Sequence, residues 1–145
     1  MLKHILVPTN GSTMACHAVA QAISLTDEMN AELTLLAVIE SFHMLAINSN
    51  EYSDQRQRQE KAAASDFDAM LARQKIKAFD RGIPCKTLVD NGMDVAKTIV
   101  DTADHSNCDL IAMASHGRGA LSSLLLGSVA AGVIAQSHIP VLVYR

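Results

Sequence analysis

Aromatic residues are nearly missing, at 3% of the 145 residues and with no tryptophan at all. A core in this chain must therefore be aliphatic, built from Leu, Ile, Val, Ala and Met. Cysteine is scarce too. Cys16, Cys85 and Cys108 are widely spaced, odd in number and form no C-x-x-C pair. That excludes a dense disulfide framework and points to buried free thiols. Long hydrophobic runs are also missing; none reaches the roughly 18 apolar residues that span a bilayer. The apolar opening, Met1 to Pro8, is too short for a secretory signal and shows no small-residue cleavage site. A reducing cytoplasm is the expected location. Excess positive charge is lacking as well, with a formal net charge of -3. Broad binding to nucleic acid needs a basic face, and docking on a membrane surface needs a polybasic patch, so neither is expected. One anionic ligand stays compatible, because backbone N–H groups can hold a phosphate without net charge.

What is present is globular: 49% hydrophobic and 19% charged residues, in a length that suits one domain covering 1–145. Leu2 to Pro8 reads as a buried strand. Thr9, Asn10, Gly11 and Ser12 form a turn cluster in which Ser12 or Thr13 can cap a helix over about 13–29, with Ala15, Val19, Ala22, Ile23 and Thr26 on its inner face. Glu32 to Ile39 is a second strand, nearly continuous in its apolar character, as in a parallel sheet. Residues 40–50 read as a loop. Glu51 to Arg81 reads as a helix with a stripe of Ala63, Phe67, Met70, Leu71, Ala78 and Phe79, ended by Gly82. Ile83 to Val89 is a third strand and Asp90-Asn91-Gly92 a turn. Asp94 to Ala103 is a helix, Cys108 to Ala114 a fourth strand, part of 120–137 a helix, and Ile139 to Tyr144 the last strand. Strict alternation predicts an α/β fold: an open five-stranded parallel sheet with helices on both faces, Rossmann-like. In such sheets ligands sit beyond the carboxyl ends of the strands, where the strand order reverses.

The most informative stretch is Ala114 to Ser128, ASHGRGALSSLLLGS. A polar, glycine-rich turn leaves the fourth strand, and Gly127-Ser128 follows just before a helical pattern. Gly117 and Gly119 permit close backbone approach, and Gly127-Ser128 adds N–H groups, a hydroxyl and the positive end of a helix dipole. Two anion sites brought together could grip a polyphosphate. An ordinary turn followed by an ordinary helix cap explains the same residues equally well. The segment is not a Walker A loop, since no lysine lies near Gly127. The turn after the first strand has a single glycine, so it is not a dinucleotide fingerprint.

Over essentially its whole length the chain resembles the universal stress protein family. ILVPTNGS is similar to that family's first strand and turn, LLAVI to its second strand, and CDLIAMASHGRGALSSLLLGSVA with SHIPVLVYR to its closing signature. The family's nucleotide motif is G-x-x-G, nine residues, then G-[ST]; Gly117, Gly127 and Ser128 match it with that spacing. The resemblance implies an adenine nucleotide alpha hydrolase-like fold and binding of ATP or AMP. Gly117, Gly127 and Ser128 would contact phosphates and ribose, with Val129 adding a backbone amide. Val38 would present backbone groups to adenine, and Pro8 and Thr9 would line the same crevice. Arg118 is placed to meet phosphate, although a solvated loop arginine explains it as well. Two positions depart from the pattern. Ala114 stands at the first glycine, where a methyl is tolerated only in ordinary β geometry. Asn10 stands where the family often has aspartate; it can bond a ribose hydroxyl but is a poorer ligand for the Mg²⁺ that can accompany ATP. The resemblance also implies a homodimer formed by antiparallel pairing of strand 139–144 with its twin, which would cover an apolar edge.

Other residues add little. His4, His17, His43, His105 and His138 are scattered without metal-ligand spacing. His116 is different because it sits inside the glycine loop and can bond phosphate or ribose. Ser122 and Ser123 have no base beside them, and Asp90, Asp94 and Asp109 read as turn or cap residues. The expected function is an adenine-nucleotide-binding, stress-response protein that regulates rather than catalyses, with any ATP hydrolysis slow. The alternative is a nucleotide-free homodimeric interaction module of the same family.

Overall fold

The computed structural model describes residues 1–41, 50–117 and 125–145, with the side chains of 50–52 left aside. Most of the expected 40–50 loop, together with Arg118, Gly119, Ser122 and Ser123, lies outside the described residues. Those described contain β1 (His4–Pro8), α1 (Thr13–Met29), β2 (Glu32–Glu40), α2 (Asn50–Phe79), β3 (Cys85–Gly92), α3 (Val95–His105), β4 (Leu110–Ala114), α4 (Ser128–Gln136) and β5 (Val141–Tyr144). The strands form one sheet in the order β3-β2-β1-β4-β5, and every neighbouring pair is parallel. The order reverses between β1 and β4. The expected open, parallel, Rossmann-like α/β sheet is therefore the observed architecture.

Alternation along the central strand explains the layering. Ile5 and Val7 point to one face and Leu6 to the other, and all three are fully buried. The first face is covered by α1 and α2 through Val19, Ala22, Ile23, Met70, Leu71 and Ala78. The second is covered by α3 and α4 through Ile99, Val100, Ala103, Ala130 and Val133. Each such Val, Leu or Ile contributes about 1.5–3 kcal/mol by leaving water, which is how an aliphatic chain builds a core without aromatics. The short β1–α1 connection works because Ser12 caps α1, its Oγ accepting the Ala15 N–H at 3.2 Å.

Several boundaries differ from expectation. The third strand begins at Cys85 rather than Ile83 and runs on through Gly92, so Asp90-Asn91-Gly92 is strand and not turn. These residues pair with Val38, Ile39 and Glu40, because the long second strand carries a ladder that needs a partner to its end. Tertiary pairing here overrides the turn preference of Asp, Asn and Gly. Asp90 is correspondingly a strand residue, whereas Asp94 does cap α3, accepting the Lys97 N–H at 3.0 Å. Phe79 does not join the inner stripe of α2; it is 76% exposed, one step beyond the buried Ala78. The cysteines are free, but only Cys108 is buried, while Cys16 and Cys85 are half-buried. Among the described residues no helix is long and apolar enough to cross a membrane.

Candidate functional site

A cavity of about 480 Å³ opens beyond the carboxyl ends of β1 and β4, at the reversal of strand order. Its polar rim comes from two loops. In the β1–α1 loop the Thr9 N–H donates to the Leu36 carbonyl at 2.8 Å and so extends the sheet by one residue. The Thr9 hydroxyl accepts the Gly11 N–H at 3.3 Å, and Asn10 Oδ1 accepts the Ser12 N–H at 3.0 Å. These bonds fold the turn back on itself, with Gly11 in the left-handed region at φ 77°.

The second loop starts at Ser115, which is 1% exposed. Its N–H donates to the Tyr144 carbonyl, and its own carbonyl accepts the Gly127 N–H, both at 2.8 Å. Residue 127 is thereby pulled against the start of the loop. A Cβ at Gly127 would lie 3.1 Å from the Ser115 carbonyl oxygen and 3.3 Å from His116 Cα, both rigid backbone. Any larger residue there would have to push this backbone back by a few tenths of an ångström. A Cβ at Gly117 would lie 3.2 Å from Asn10 Nδ2, so the two loops nearly touch at that point. Gly127 is also the N-cap of α4 and has no side chain to cap it. The first N–H groups of α4 are left for another acceptor, at the positive end of the helix.

The structure brings together Pro8, Thr9, Asn10, Val38, Ala114, His116, Gly117, Gly127, Ser128 and Val129, all of which line the cavity. Arg118 lies outside the described residues. Ala114 fits without strain: it is a β4 residue paired with Tyr144, and it is not among the residues of positive φ. The apolar floor was missed in the sequence. Leu36, Val95, Ile99 and Met113 supply it, with Ala15 and Ala130 beside them. Met113, one position before Ala114, and Leu36, two before Val38, carried a signal in their place at strand ends; Ile99 and Val95 carried none beyond a helical stripe. Ser115 was read only as loop, yet its Oγ lies 2.8 Å from His116 Nδ1. The His116 Nε2 atom is buried and has no hydrogen-bond partner among the described residues. Among the described residues no group of three His, Cys, Asp or Glu side chains could hold a metal ion.

The model of the universal stress protein family matches residues 1–145. The chain belongs to the universal stress protein family. It is similar to a universal stress protein of Methanocaldococcus jannaschii, 31% identical with all of this chain and 83% of that protein covered. Among solved structures it is similar to universal stress protein UspA from Lactobacillus plantarum, at 28% identity and a TM-score of 0.83, covering 99% of this chain and 98% of that one. Two more distant members share the fold. One is a universal stress protein in complex with cAMP, at 21% identity and TM-score 0.73, covering 99% of this chain and 97% of that one. The other is a family protein from Arabidopsis thaliana with AMP bound, at 18% identity and TM-score 0.65, covering 97% and 90%.

Proposed function

We propose that the cavity binds an adenine nucleotide, ATP or AMP, and that the protein is a stress-response regulator whose nucleotide alters its conformation, its dimer or its partners. The observation that carries this reading is the pairing, within one cavity at the strand reversal, of an apolar floor with a glycine loop and an uncapped helix start. A volume near 480 Å³ suits a small-molecule ligand, since such sites run from about 300 to 1,000 Å³. The base would rest on Leu36, Ile99 and Met113 and meet the backbone of Val38. The ribose would meet Thr9 and Asn10. Phosphates would take the N–H groups of Ser128 and Val129 beside Gly117 and Gly127, with Arg118 close at hand in sequence. The cAMP and AMP held by the two distant members support the same ligand class.

The residues suit Mg²⁺ less well. None of the described residues lining the cavity is a carboxylate, and Asn10 Oδ1 is occupied by the Ser12 N–H. Mg²⁺ would arrive held by the phosphates of ATP and by water rather than by the protein. No group in the lining is assigned as a catalytic base. We also read residues 1–145 as one domain and the exposed edge of β5 as a homodimer contact. The position of β5 at the end of the sheet, its four residues half-buried, supports pairing with a second copy.

The test is chromatography of small molecules released from freshly purified protein, followed by calorimetry with AMP and ATP. Near-stoichiometric adenine nucleotide, or saturable binding, is expected. An empty protein that ignores millimolar ATP with magnesium overturns the reading in favour of a nucleotide-free interaction module.

A further inference from the structure

Asparagine is followed by glycine twice in the chain, at Asn10–Gly11 and at Asn91–Gly92. In this pairing the next main-chain nitrogen can reach the asparagine Cγ with little obstruction, because glycine has no Cβ. Closing that ring turns the peptide plane after the asparagine out of its place. The bonds that hold the plane therefore decide whether the ring closes.

At Asn91–Gly92 the plane is fixed. Both residues belong to β3 and pair with Ile39 and Glu40. The Asn91 N–H donates to Asp90 Oδ1, and the Gly92 carbonyl accepts the Ser41 N–H, both at 2.8 Å. Gly92 is also packed so closely on α3 that a Cβ would collide with Thr98 Oγ1. Turning the plane would tear Gly92 from both neighbours.

At Asn10–Gly11 almost nothing resists. Asn10 is exposed and lies between β1 and α1. Among the described residues its own N–H and carbonyl make no hydrogen bond, and the Gly11 N–H makes one long bond, to the Thr9 hydroxyl at 3.3 Å. The side chain is already bent along the following chain, since Asn10 Oδ1 accepts the Ser12 N–H at 3.0 Å. That donor points at the oxygen on which negative charge gathers when Cγ is attacked.

We propose that Asn10 is a site of spontaneous covalent modification and that the fold selects it over Asn91. The Gly11 nitrogen gives its proton to hydroxide and attacks Cγ. The new N–Cγ bond replaces the Cγ–Nδ2 bond, and Nδ2 leaves as ammonia with a proton from water. A second water opens the succinimide at either carbonyl, leaving aspartate or isoaspartate. Both products add a carboxylate to a cavity lining that has none among the described residues, and isoaspartate also inserts a methylene into the main chain between β1 and α1. The modification stands without the nucleotide reading. Its link to the cavity rests on that reading, because Asn10 lines the cavity and a bound nucleotide would cover it.

The test incubates the full chain in mildly alkaline buffer, native and in urea. Peptide mass mapping follows the amide-to-acid change at both dipeptides. In the native protein Asn10 is expected to convert about tenfold or more faster than Asn91, the factor that a lost hydrogen bond or two supplies. In urea the two rates should converge. Asn10→Gln, which would have to close a larger ring, should keep its amide over the same period. Comparable native rates, a faster Asn91, or a preference for Asn10 that persists in urea overturns the proposal. Saturating AMP should slow the loss of Asn10. If calorimetry shows AMP bound and the rate is unchanged, the link to the cavity is overturned. If AMP does not bind, the nucleotide reading fails, and the comparison of native protein with urea still decides the site.

Discussion

Two histidines at opposite ends of the same sheet are treated differently. At the amino end, His4 Nε2 lies 2.7 Å from the Thr34 hydroxyl and Nδ1 lies 3.2 Å from the Ser106 carbonyl. Beside it Asp109 Oδ2 accepts the N–H groups of Lys3 and His4, at 2.8 and 2.9 Å. Polar groups there are spent on one another, which ties β1 to β2 and to the α3–β4 connection. At the carboxyl end, among the described residues, His116 has one side-chain partner and one unpaired ring nitrogen, and α4 begins without a side-chain cap. One end of the sheet is built for stability. The other withholds its bonds, and that is where a ligand can gain from making them.

The largest effect should come from filling the withheld space. Gly127→Val puts a side chain against the Ser115 carbonyl and His116 backbone, and should abolish AMP binding, by about 100-fold or more in calorimetry. Retained affinity would mean that this backbone contact does not shape the site. Next is the satisfied end: His4→Ala should lower unfolding free energy by about 1–2 kcal/mol in urea while leaving AMP affinity unchanged. A matching loss of affinity would break the division between the two ends.

Asp109 sharpens the contrast through pH. The Lys3 and His4 N–H groups hold its carboxyl below the ordinary range. Its contribution is thus present above the ordinary carboxylate range and is lost as pH falls through the depressed value. Asp109→Asn should flatten the acid limb of a melting-temperature profile; an unaltered limb would remove Asp109 from the account. The smallest effect concerns Cys108. Burial first, and then the neighbouring Asp109 charge, push this thiol up to about 11. Stability tied to its protonated form is present below the ordinary thiol range and declines as pH rises toward that value. Cys108 should therefore be modified last by a thiol reagent at neutral pH, after Cys16 and Cys85, as read by peptide mass mapping.

The parallel sheet was legible because β4 is apolar throughout and β2 nearly so between its terminal glutamates, and because helices with clear stripes alternate with strands. The polar rim of the site was legible because Gly117, Gly127 and Ser128 keep a spacing that the family shares. What stayed hidden depends on distant partners. Asp90, Asn91 and Gly92 look like a turn until the length of β2 gives them something to pair with. Whether Ala114 is tolerated depended on a backbone angle, and no residue letter encodes that. The bond from Ser115 to His116 is local, yet its meaning comes from burial, which only the assembled loops create. The floor residues Ile99 and Val95 reach the cavity from α3, far along the chain from either loop.

The place of the cavity between β1 and β4 has a kinetic side. β1 meets β2 early in the chain, but its other neighbour pairs Ile5 with Leu110, across most of the sequence. Contacts this distant carry the full entropic cost of closing the intervening loop, and they slow folding. Neither loop alone makes the rim, so an N-terminal fragment, however well it forms β1, α1 and β2, offers no binding site. A molecule held there is bound only by the completed fold. Its binding free energy accordingly adds to the cost of global unfolding and to that of any partial opening that separates the two loops.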